Sequence, residues 1–140
     1  DSECYNYFKN KGYSFANIIH KSSIISKNAY LEEGAQIMAG AIIQKGVRVG
    51  VNSILNTGSI VDHDCLIEEN CHISPGATLC GGVICSKNTH IGAGSVIIQK
   101  IKIGKNSIIA AGSTVYKDIP ENSIVKNAPM TLNKNSIKND

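Results

Sequence analysis

The chain has 140 residues, 42% of them hydrophobic, and carries 14 Lys and Arg against 11 Asp and Glu, a net charge of +3. That length predicts one domain, and the charge is too small to argue for a nucleic-acid partner. Five cysteines without a CxxC pair predict reduced thiols rather than a disulfide framework, no run reaches the roughly 18 apolar residues of a membrane span, and the expected compartment is the cytoplasm.

Residues 1–18 hold Tyr5, Tyr7, Phe8 and Tyr13, with Ser2 as a candidate cap and Gly12 as a stop. They predict a short amphipathic helix lying against the body of the fold.

From Ile19 to Pro120 the sequence repeats every six residues without insertion, which makes 17 hexads. The first position is apolar throughout, from Ile19, Ile25 and Leu31 to Ile103, Ile109 and Val115, with Cys85 counted among them. The fourth is Gly, Asn or Asp except at Ser22 and Lys100, and these residue types tolerate left-handed backbone at corners. The fifth is mostly small, as at Ala35, Ser53, Ala77 and Ser95. Short strands separated by corners, all in one period, predict an all-β coil whose turns pair in parallel. A globular helix would need apolar spacings of three and four.

Residues 121–140 lose the period and are rich in Asn and Lys, which predicts a terminal strand or loop. Charge is uneven along the chain: residues 1–99 hold seven basic and eight acidic residues, and residues 100–140 hold seven and three. Lys100, Lys102, Lys105, Lys117 and Lys126 are candidate phosphate contacts, or simply solvated.

Three features depart from the repeat's bland pattern. His63 lies between Asp62 and Asp64 at a corner, and imidazole is suited to accepting a proton near neutral pH. A carboxylate on one ring nitrogen would fix its tautomer, with Asp64 the first choice and Asp62 the second; the alternative is an exposed histidine among surface charges. His72 and His90 lie three hexads apart and are either a ligand-facing edge or surface polar residues. Gly81, three hexads after His63, offers a bare amide and room beside the base for a thioester carbonyl and its oxyanion.

The stretch ILNTGSIVDHDCLIEENCHISPGATLCGG, Ile54 to Gly82, resembles the sialic-acid and bacterial sugar acetyltransferase family of the hexapeptide-repeat acyltransferase superfamily, which includes UDP-4-amino-sugar N-acetyltransferases. The resemblance runs from Ile18 to about Pro129. It implies a left-handed parallel β-helix with three hexads per triangular coil, hence a vertical neighbour at every 18th residue. It implies acetyl-CoA as co-substrate without a metal, an amino-sugar or sialic-acid acceptor acetylated at nitrogen or oxygen, and a homotrimer with acetyl-CoA between neighbours. Residue by residue, His63 matches the general base, Asp64 its acidic neighbour, and His72 a contact to acetyl-CoA. Gly81 matches the backbone near the thioester, and Ala93 and Ala111 match backbone lining the pantetheine arm. Where the family often has Glu after the base, this chain has the shorter Asp64. The family carries a nucleotide-sugar-binding subdomain before the coil, and residues 1–18 resemble its tail, leaving 19–120 as the acetyltransferase coil and 121–140 as an extension.

Two rival readings come from other classes. A γ-type carbonic anhydrase shares the coil and binds zinc through three histidines, for which His63, His72 and His90 are the candidates, but the chain lacks the close histidine pair of that family. A non-catalytic scaffold is compatible with uninterrupted hexads and leaves the placement of His63, His72 and Gly81 unexplained.

Overall fold

The computed structural model describes residues 2–126. Among them one helix, Ser2–Asn10, is followed by strands of two residues each. Successive strands go to a first, a second and a third sheet in turn and then return to the first, so each coil has three sides. The first sheet has seven strands, from Ile18–Ile19 to Ile124–Val125, the second six and the third five. Every pairing is parallel, and from Ile18↔Gln36 to His90↔Ile108 partners lie three hexads apart.

The first position of each hexad points inward, as strand alternation requires. Ile37, Leu55, Ile73, Ile91 and Ile109 stack fully buried beneath the first sheet, and Ile43, Val61, Leu79 and Ile97 beneath the second. Cys85 takes its place below the third, between Ile67 and Ile103. Each such side chain stabilises the coil by roughly 1.5–3 kcal/mol. Small fifth-position residues face the corners, and several of their hydroxyls are satisfied by the chain. Ser53 Oγ donates to Glu68 O at 2.8 Å and accepts from Cys71 N at 3.0 Å.

The corners are left-handed at every fourth position from Gly34 to Gly112. This includes Lys100, with φ of 62°, so the coil imposes the conformation even where the residue type disfavours it. At the corner between the third and first sheets the side chains form a ladder, Asn52 Nδ2 donating to Asn70 at 2.8 Å and Asn88 and Asn106 each donating to the next at 3.0 Å.

The expected run of hexads to Pro120 ends earlier. Ile119 pairs with Ile103 and Ile124 with Ile108, each pair two residues closer in sequence than three full hexads. The turn after Val115 is shortened by that amount: Asp118 is not left-handed, and the next left-handed corner residue is Asn122, stacked on Asn106. Asp118 instead turns its carboxylate back to accept from Lys102 N at 2.8 Å, satisfying an amide on the outer edge of the third sheet. The expected terminal strand is Ile124–Val125, and residues 127–140 lie outside the described residues.

The helix docks on the first coils as its amphipathic pattern predicts. Tyr5 is buried with its ring 4.6 Å from that of Phe15, Lys9 Nζ is 2.6 Å from Glu33, and Glu33 also accepts from Phe15 N at 2.7 Å. Gly12, at φ of 85°, ends it. No helix among the described residues is long and apolar enough to cross a membrane.

Candidate functional site

Asp62, His63 and Asp64 form the corner between the second and third sheets, after the strand Ile60–Val61 and before Leu66–Ile67. Asp64 is itself the left-handed residue, with φ of 59°, and this bend turns its carboxylate back onto the preceding ring. His63 Nδ1 lies 2.9 Å from Asp64 Oδ2. A carboxylate only accepts, so Nδ1 carries a proton, and in the neutral ring Nε2 holds the lone pair. Asp62 acts on the backbone instead, its Oδ1 accepting from the His63 N–H at 2.8 Å. The two aspartates thus hold ring and backbone respectively.

Glycines one coil to either side make room for this pair. A Cβ built on Gly81 would lie 2.5 Å from His63 Nε2 and 2.6 Å from Cε1, and one on Gly46 would collide with the Asp64 carboxylate. The space that a side chain at residue 81 would take is thus filled by the imidazole, and Gly81 is buried beneath it. Its N–H has no hydrogen-bond partner among the described residues. Cys80, in the place that Asp62 takes one coil earlier, has no carboxylate to cap it.

His72 and His90 are outward-facing partners in the first sheet, with ring centroids 4.8 Å apart. Asn56 Nδ2 is 3.1 Å from His72 Nε2, and Ser74 Oγ is 3.1 Å from His90 Nε2. Burial, and then the neighbouring His90, hold His72 below the ordinary histidine value. Ala93 and Ala111 precede Gly94 and Gly112 at the corner between the first and second sheets, one coil apart and both exposed.

The sequence candidates therefore fall into two groups. His63, Asp64 and Gly81 share one corner. His72 lies on the opposite side of the triangle, and Ala93 and Ala111 on another corner. A single chain does not bring them together. The signal was available in the spacing: nine residues separate His63 from His72, half of a three-hexad coil. The packing of Gly46 under Asp64 was missed, although it too is a matter of one coil's separation.

Burial raises Cys65 to about 11 and Cys71 to about 12, and Cys85 well above its ordinary value, so these thiols are poor nucleophiles. Among the described residues no group of three or more His, Cys, Asp or Glu is placed to hold a metal ion.

A family model for the bacterial transferase hexapeptide, six repeats, matches residues 82–117. A solved structure of perosamine N-acetyltransferase from Caulobacter crescentus, a variant in complex with CoA and GDP-perosamine, superposes with a TM-score of 0.86 at 33% identity. The acetyltransferase domain of PglB from Neisseria gonorrhoeae, in complex with acetyl coenzyme A, superposes equally well at 31% identity. The chain carries the hexapeptide repeat and shares the β-helix fold of these acetyltransferases.

Each superposition covers 88% of this hexapeptide-repeat chain, which spans 59% of the Caulobacter chain and 60% of the Neisseria chain. WeeI from Acinetobacter baumannii, 24% identical with a TM-score of 0.85, shares the fold. No curated protein sequence matches the chain.

Proposed function

We propose that this chain is the catalytic coil of a sugar N-acetyltransferase that uses acetyl-CoA, with a nucleotide-linked 4-amino sugar as acceptor and His63 as general base. The observation that carries the reading is the dyad itself. A proton-bearing Nδ1 held by Asp64 leaves Nε2 free beside an unpartnered amide, the arrangement that base-assisted acyl transfer needs. Similarity to a perosamine N-acetyltransferase and to the PglB acetyltransferase domain supports donor and acceptor class.

In the proposed reaction the acceptor amine attacks the thioester carbon while His63 Nε2 takes its proton. The carbonyl electrons move to oxygen, which accepts a hydrogen bond from Gly81 N–H. The C–S bond then breaks, and CoA leaves as the thiol after receiving the proton from His63. Asp64 stabilises the transient imidazolium, and Asp62 keeps the corner from turning. General-base assistance of this kind contributes roughly 10²–10⁴-fold.

The separation of His63 from His72, Ala93 and Ala111 supports a site completed by a second copy. In a closed threefold ring the corner of one copy meets the outer first sheet of the next. Acetyl-CoA then lies between His63 and Gly81 on one side and His72, Ala93 and Ala111 on the other. Residues 1–18 are proposed as the end of a nucleotide-sugar-binding unit, and sialic acid O-acetylation is the second acceptor reading.

The test is thiol release from acetyl-CoA with a panel of nucleotide-linked 4-amino sugars and free sialic acids. Turnover with an amino sugar that falls at least a hundredfold in His63→Ala agrees with the proposal. Undiminished turnover in that variant removes His63 as the base.

A further inference from the structure

The corner column that holds His63 carries a pair of unmatched positive charges. Lys27, Lys45, His63 and Gly81 follow one another along it a coil at a time, in register through Ile25↔Ile43, Ile43↔Val61 and Val61↔Leu79. Both lysines are exposed, and neither takes part in an ion pair among the described residues, although Asp62 and Asp64 lie one coil beyond Lys45. The corner between the third and first sheets treats its lysines differently. There Lys87 lies 2.9 Å from Glu69 of the preceding coil, and Lys105 lies 3.4 Å from Glu121 of the following one. At the dyad corner no acidic residue precedes Asp62, since its first coil offers Ser26, Lys27 and Asn28 and its second Gln44, Lys45 and Gly46. Like charges on neighbouring strands repel, so this stack is completed by an anion that the chain itself does not supply. The backbone ties it to the dyad, Asp64 N donating to Lys45 O at 3.0 Å and Gly46 N to Asn28 O at 3.1 Å.

Position and length fit the acceptor of the proposed reaction. The acyl donor, with its carbonyl at Gly81 N–H, takes the other side of His63, so the body of the acceptor leaves the dyad toward Lys45. Stacked strands are about 4.8 Å apart, which puts Lys45 about 5 Å and Lys27 about 10 Å before His63. In a 4-amino pyranose the amine and the anomeric oxygen stand at opposite ends of the ring, about 6 Å apart with bonds of about 1.5 Å. With the amine at His63 Nε2, a diphosphate on the anomeric oxygen falls between Lys45 and Lys27, within reach of both side chains.

We propose that Lys27 and Lys45 bind the diphosphate of the acceptor and so select a nucleotide-linked amino sugar over the same sugar in free form. The inference rests on the proposed acetyl transfer and adds to it a specificity determinant carried by the coil. Each ammonium donates to phosphate oxygens as a compact charge. Neither touches the amine or the thioester, so both act on acceptor binding and not on the bond changes.

The experiment uses inorganic pyrophosphate as the probe and acetyl-CoA as the comparison. Calorimetric dissociation constants are measured for the unaltered chain, Lys27→Gln/Lys45→Gln, Lys27→Arg/Lys45→Arg and, as a control, Lys21→Gln, an exposed lysine at another corner. Loss of two charge-assisted contacts predicts that the glutamine pair weakens pyrophosphate at least about tenfold and reduces its salt dependence. Acetyl-CoA stays within twofold, and the arginine pair and the control retain pyrophosphate binding. In turnover with a nucleotide-linked amino sugar the glutamine pair raises the acceptor KM about tenfold and leaves kcat within twofold. Pyrophosphate binding that is absent from the unaltered chain, or unchanged in the glutamine pair, overturns the proposal and leaves acetyl-CoA and His63 untouched. An equal loss for acetyl-CoA assigns the lysines to the donor and overturns it as well. Lysine-dependent pyrophosphate binding in a chain that acetylates no amino sugar supports the diphosphate site and overturns the proposed reaction instead.

Discussion

The imidazole of His63 lies in the space that a side chain at residue 81 would fill, with Nε2 2.5 Å from the position of a Cβ on Gly81. Gly81 does not need glycine for its backbone, since its φ is not in the left-handed range. Its bareness serves the ring. Gly81→Ala is therefore expected to move the imidazole and spare the coil. Turnover should fall about 10²-fold, as displacement of a reacting group by an ångström does. The melting temperature should change little, because an exposed ring can swing into solvent. Steady-state kinetics beside thermal unfolding would check both halves.

Lys100 offers a gain in stability. Its backbone is held at φ of 62°, a region costing a non-glycine residue about 1 kcal/mol. Lys100→Gly removes that cost but loosens the unfolded chain, so Lys100→Asn is the better variant. An increase of up to about 1 kcal/mol is expected from denaturant titration.

Two interior serines should respond oppositely. Ser59 Oγ is buried without a hydrogen-bond partner, whereas Ser53 Oγ both donates and accepts. Ser59→Ala is expected to be neutral or stabilising by about 1 kcal/mol, and Ser53→Ala to cost about 1–3 kcal/mol. Urea unfolding of the two variants measures the contrast.

His72 gives a pH dependence of stability. Its folded value is lowered by burial and by His90, so below the ordinary histidine value of about 6.5 the unfolded chain binds a proton that the folded chain refuses. Stability contributed by neutral His72 is present above that value. It is lost as pH falls from about 6.5 toward the depressed folded value. His72→Gln should flatten the melting temperature against pH across that window.

Thiol chemistry should divide by depth. Cys4 is exposed, while Cys65, Cys71 and Cys85 are buried with raised pKa values. Iodoacetamide on the folded chain should label Cys4 readily and leave those three until denaturant is added, as peptide mass mapping would show.

The coil was legible because its interior asks the same thing every six residues. A wrong residue at Ile37 or Leu79 would point a polar group into a core with no water. The dyad was legible because His63 and Asp64 are adjacent in the chain. Less accessible was the end of the repeat, where Val115 and Pro120 keep the look of a hexad although the turn between them is two residues short. The pairings of Ile103 with Ile119 and of Ile108 with Ile124 reveal it. Lys100 misled in the opposite direction, since stacking between coils holds its corner left-handed whatever the side chain prefers. The division of the candidates between corners follows from the nine residues between His63 and His72, which are half of a three-hexad coil.

That division makes subunit mixing the most direct test of a site shared between copies. His63→Ala and His72→Ala chains are purified, assayed for thiol release from acetyl-CoA, then unfolded and refolded together in equal amounts. A shared site predicts that both are impaired alone and that the mixture recovers about a quarter of full activity, since random pairing restores one interface in four. A mixture no more active than its components would contradict it.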